Sequence, residues 1–132
     1  MGLLASRKVE DDAQRRNAED RELAERLPAL LEAVASAERE LYEAHNQGAD
    51  YPELKRRGMD LDRALTEAMR AAYARQRVLI GPRGHTDRIY RRKRLARPDV
   101  KEATELAERL LTERETHRLH GIEEAPRSQQ VG

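Results

Sequence analysis

The stretch 81–98, GPRGHTDRIYRRKRLARP, gathers seven basic side chains (Arg83, Arg88, Arg91, Arg92, Lys93, Arg94 and Arg97) against one acid, Asp87. Arg75 and Arg77 lie just upstream. So many cations in so short a run would draw phosphates into strong, salt-dependent binding that ignores base sequence. Tyr90, set among them, could stack on a base. The same charges could instead dock on an acidic protein face, another copy of this chain included, or form a solvated connector. The segment matches no nucleic-acid-binding module: it has no recognition-helix pattern, no zinc ligands and no array of RNA-stacking aromatics. Nor is GPRG a phosphate loop, because His85-Thr86 stands where Lys-Ser/Thr would have to follow the last glycine.

Other residues with chemical potential are fewer. His117 and His120 sit three apart near the end of a helical stretch, with Glu113 close by. A metal needs three or four ligands, and there is no cysteine to help. Two exposed histidines at a helix C-terminus are also favourable with the helix dipole alone. His85 has no obvious nucleophile to activate, since Ser6, Ser36 and Ser128 fall in an arm, a helix flank and a tail. The 25 acids are spread over amphipathic helices, where a carboxylate pair is a solvated face rather than an acid–base couple. No catalytic residue, cofactor or metal is expected, and the chain is read as not an enzyme.

Those side chains must be carried by helices. The chain is 39% charged and 38% hydrophobic, with no Phe, Trp or Cys, and its apolar content is mostly Ala and Leu. Ala and Leu are strong helix formers, whereas the β-branched and aromatic residues of strands are scarce. A core without large aromatics is thin, so the molecule is expected to be elongated or completed by a partner. The net charge of +1 conceals a segregation: residues 75–98 carry +8 and the remainder −7. No segment approaches the roughly 20 apolar residues of a membrane span, and the opening apolar run is too short for a signal peptide. The expected setting is soluble, cytoplasmic or within a virion, not secreted and not at a membrane.

Along the chain, residues 1–8 read as a flexible arm and 121–132 as a disordered tail. Between them one helical domain is expected over 9–120, with helices at about 9–27, 28–47, 51–79, 87–97 and 98–120. The first is poorly patterned, because Arg16 and Asp20 interrupt the stripe of Val9, Ala13, Leu23 and Leu27. Pro28 should restart the helix. From there Leu23, Leu27, Leu30, Val34, Ala37, Leu41 and Ala44 alternate steps of four and three, a heptad seam. Asn46 and Gly48 end it. Asp50 caps the next helix, with Pro52 in the first turn and Glu53 placed for a capping box. The return helix continues the seam with Leu54, Gly58, Leu61, Leu65, Ala68, Ala72 and Leu79. Gly81, Pro82 and Gly84 break it, and Thr86 could cap the basic helix that follows. That helix has basic side chains all round and no clean apolar face.

The pattern predicts an all-α fold: an antiparallel coiled-coil hairpin, 23–47 against 51–79, followed by a basic elbow. A C-terminal helix then folds back on the hairpin or reaches a neighbour. The functional expectation is a structural or assembly protein whose helical faces bind other chains, in a homo-oligomer or large complex. A viral or phage capsid, connector or scaffold component has this physical character. One alternative is a nucleic-acid-binding accessory protein using 81–97. Another is a helical adaptor or inhibitor of a single protein partner.

Overall fold

The structure, a computed structural model, describes residues 2–120. It is all-α: α1 (Gly2–Glu25), α2 (Leu27–Asn46), α3 (Tyr51–Ile80), a 3-10 turn (Pro82–His85), α4 (Arg88–Leu95) and α5 (Pro98–His120). The tail expected at 121–132 lies outside the described residues. The expected arm does not separate from the first helix: α1 starts at Gly2, and residues 3–8 contain no breaker, only residues such as Leu, Ala, Arg and Lys that helices accept readily. The break before α2 falls at Arg26, whose N–H reaches back only to the Leu23 carbonyl, and Pro28 sits in the first turn of α2, where its missing donor costs nothing.

The α2–α3 connection follows the local signals. Gly48 is left-handed at φ 71, its N–H bonds to the His45 carbonyl, and the Ala49 N–H bonds to the Ala44 carbonyl. Together these form a Schellman stop. Asp50 Oδ1 then accepts from the Glu53 N–H at 3.1 Å. The Glu53 side chain does not close the capping box. It is drawn away by Arg56 and Arg57, whose hydrogen bonds hold its carboxyl below the usual range.

The residues read as one domain group into two compact units. Among the described residues, one comprises 2–27 together with 70–107; the other comprises 28–69 and 108–120. In the second unit, α2 and residues 51–69 of α3 form the expected hairpin, with Leu30, Val34, Leu54, Leu61, Leu65 and Ala68 buried and Leu41 half-buried. Arg57 ties the hairpin by bridging Glu40 at 2.9 Å and Glu53 at 3.0 Å. Here α5 folds back on α3: Arg114 donates to Thr66 and Arg118 to Asp62. Buried His117 donates from Nε2 to the Gly58 carbonyl at 2.6 Å. His117 is therefore not the exposed residue of a His pair, because the 3.6-residue period turns it inward with Leu110.

The first unit departs from the expected seam. Residues 70–80 of α3 do not extend the hairpin with α2. They lie with α1 and with the first turns of α5. Two neighbours require two buried stripes, and Ala71 and Ala74 are buried along with Ala72, while Leu79 is only half-buried. Gln76 Nε2 donates to Thr104 Oγ1 at 2.8 Å, which in turn donates to the Val100 carbonyl, so this buried amide is satisfied across to α5. On α1 the buried stripe is Ala13, Asn17 and Asp20, with Leu23 half-buried and Val9 exposed, and Leu27 is buried at the start of α2. Asp20, which appeared to interrupt the stripe, is part of it.

Candidate anion-binding face

The basic segment is built on the first unit. α3 ends where the Gly81 N–H bonds back to the Arg77 carbonyl and Gly81 takes φ 99, a backbone conformation that favours glycine. The chain makes one 3-10 turn and enters α4. The cap is Asp87, one residue after the expected Thr86: its Oδ1 accepts from the Tyr90 N–H at 3.0 Å, while the Thr86 hydroxyl turns back to the Arg83 carbonyl. The Tyr90 N–H, aided by Arg83, holds the Asp87 carboxyl below the usual carboxylate range. Arg92, Lys93 and Arg94 occupy the last turn, the end at which the helix dipole favours cations.

An eight-residue helix is marginal alone. Three side chains fix this one. Arg94 Nη2 donates to the Leu79 carbonyl at 2.7 Å. The Arg83 guanidinium lies over the Tyr90 ring at 4.8 Å, and that of Arg94 at 5.8 Å. Tyr90, expected to be free to stack on a base, is thus engaged by two internal cations.

The ten residues expected to bind an anion or partner therefore divide. Arg77 is committed to Asp20, Arg83 to Asp87 and Tyr90, and Arg94 to Leu79. Arg97 lies 3.6 Å from Asp99. Arg75, Arg88, Arg91, Arg92 and Lys93 are exposed and make no ion pair or hydrogen bond among the described residues. Four of these five are on α4.

Sequence reasoning missed a polar cluster behind this face. Asp20 of α1 receives both Nε and Nη2 of Arg77, and His85 of the 3-10 turn brings its Nε2 to 3.9 Å from Asp20 Oδ2. His85 Nε2, Asn17 Oδ1 and Arg94 Nε are buried without a hydrogen-bond partner among the described residues. Arg77, His85 and Arg91 line a cavity of about 30 Å³ with Gly81 and Gly84, room for little more than one water. The signal was the polar pair Asn17 and Asp20 at helical spacing on an apolar stripe. A larger open cleft of about 800 Å³ runs between Glu10, Ala13 and Gln14 of α1 and residues Pro82 to Ile89. It mixes acids with bases. Among the described residues no group of three or more His, Cys, Asp or Glu is placed to hold a metal, and no helix is long and apolar enough to cross a membrane.

The chain was compared with protein-family models, with curated proteins and with solved structures, and none of the three comparisons found a match.

Proposed function

We propose that this chain is a non-enzymatic assembly protein: it binds other protein chains, further copies of itself among them, and sets α4 on an anionic surface of the resulting complex. The observation that carries the reading is the way α4 is held. Asp87, Tyr90 and Arg94 tie the helix down from inside, while Arg88, Arg91, Arg92 and Lys93 face out with no internal partner among the described residues. A cationic face fixed before binding loses less ordering entropy when it docks. The cores support the other half of the reading. They are mainly Ala and Leu, the largest fully buried side chains are Ile80 and Val100, and Tyr42, Met59 and Leu119 remain in water. A neighbouring chain would bury apolar area that this fold leaves exposed.

The test is solution mass by light scattering across a concentration series in low and high salt. Self-association that grows with concentration is the expected result. A protein that stays monomeric at every concentration and salt would overturn the self-assembly half of the reading.

A further inference from the structure

From α4 we infer that the anionic surface is the phosphate backbone of a nucleic-acid duplex, contacted without regard to base sequence. This rests on α4 being the docking face proposed above, and it names the partner.

Charge density comes first. Arg88, Arg91, Arg92 and Lys93 span five helical steps, about 7.5 Å of axis. Duplex DNA presents about four phosphate charges over that length. Four unpaired cations thus meet about four anions with no acid on α4 to dilute them.

The composition of the face comes second. Protein–protein interfaces centre on an apolar core from which charged residues are depleted. The outward side of α4 offers little apolar surface, namely Ile89, which is 71% exposed, and half-buried Leu95. Interfaces with nucleic acid are polar and strongly positive, and this face is of that kind.

The state of the aromatic comes third. Single-strand binders present aromatic platforms on which bases stack. The aromatic of α4, Tyr90, lies beneath the guanidinium groups of Arg83 and Arg94, so the face offers charge without a platform. At 100° per residue the four cations spread over about 200° of the wheel, leaving Tyr90 and Arg94 on the inner side. A helix of that kind fits within a major groove about 12 Å wide and can reach phosphates on both walls.

The experiment is a titration of the full chain with a labelled random-sequence duplex across a salt series, repeated with the matching single strand and with polyglutamate. Duplex affinity should fall linearly in log–log form with a slope near −3.6, a loss of about 100-fold between 50 and 200 mM salt. Arg91→Ala/Arg92→Ala/Lys93→Ala should reduce the slope magnitude by about three. Arg91→Lys/Arg92→Lys keeps the charges and should keep most of the binding. These side chains make no internal hydrogen bond or ion pair among the described residues, so circular dichroism should be unchanged in both variants. Polyglutamate binding as tightly as the duplex, with the same loss in the triple-alanine variant, would overturn the phosphate assignment and leave the anionic-surface reading standing. Tighter binding of the single strand would overturn the duplex assignment. Failure of all three polymers at low salt would remove both.

Discussion

Arg77 grips Asp20 with two hydrogen bonds, Nε to Oδ2 at 2.9 Å and Nη2 to Oδ1 at 3.0 Å, between residues 57 apart in the chain. The two partners are not equally placed. The Asp20 side chain is 12% exposed and that of Arg77 is 40% exposed. Removing Arg77 leaves a buried carboxylate without its counter-charge, whereas removing Asp20 leaves a guanidinium that water can still reach. Arg77→Ala should therefore destabilise by about 2 kcal/mol and Asp20→Ala by about 1 kcal/mol. The double variant should cost less than the sum, by about 1 kcal/mol. Urea unfolding of the three variants measures all three values. Equal single costs with strict additivity would contradict a coupled pair.

A second prediction concerns the anchoring of α4. Arg94 is its main link to the end of α3, through the Leu79 carbonyl, and it also contributes to the cation–π contacts on Tyr90. Arg94→Ala should free α4 while sparing the packed helices, because no residue of α4 is buried. Amide exchange in residues 88–95 should rise toward unprotected rates, with global stability falling by no more than about 1.5 kcal/mol. Unchanged protection across α4 would show that the carbonyl contact is dispensable.

Gly48 allows a cleaner separation of backbone from packing. It takes φ 71, and a Cβ added there would meet nothing within 4 Å. Gly48→Ala should thus cost about 1 kcal/mol purely from left-handed strain. Gly84 is the opposite case. Its φ is unremarkable, but a Cβ there would run into Ile80 Cγ2, which belongs to one of the largest fully buried side chains. Gly84→Ala should cost more than Gly48→Ala in thermal unfolding, and that excess should shrink when both are compared in an Ile80→Ala background, where Cγ2 is gone. A larger loss at Gly48 would reverse the argument.

The parts of this fold that could be read from sequence are those decided within a few residues. Gly48 and Asp50 set the hairpin turn from its local chemistry, and Pro28 set a helix start. The heptad spacing of Leu30, Val34, Leu61 and Leu65 identified buried positions correctly. Pairing over a distance was not legible. A heptad implies one neighbour, but residues 70–80 have two, and Ala71 and Ala74 carry no signal of which stripe they serve. Asp20 looked like a solvated interruption because its partner, Arg77, is 57 positions away. His117 looked exposed for the same reason: the carbonyl it serves belongs to Gly58 on another helix. In the candidate site, charge density was plain from the sequence, but which cations remain unpaired was not. Arg77, Arg83 and Arg94 differ from Arg88, Arg91 and Arg92 only in what the fold sets beside them.

The last prediction is a pH dependence. The Asp62 carboxyl is held below its ordinary range chiefly by the hydrogen bond from Arg118, whose Nε lies 2.7 Å from Oδ1. A carboxyl with a lowered folded-state pKa contributes stability above its unfolded value, and that contribution is lost as pH falls through the folded value. At neutral pH Asp62→Asn should therefore cost between a few tenths and about 1 kcal/mol, the scale of a partly exposed pair screened by salt. The cost should shrink below about pH 4, where carboxyls begin to protonate, and vanish once Asp62 in the folded wild-type protein is protonated. Asp87 follows the same sign, since the Tyr90 N–H lowers its pKa: acid should loosen the start of α4, seen as faster exchange of the Tyr90 amide relative to amides of α3. Urea titrations of wild type and Asp62→Asn across the acid range test the first effect. Two stability curves that stay parallel down to the lowest pH would mean that the Asp62–Arg118 pair contributes through packing rather than charge.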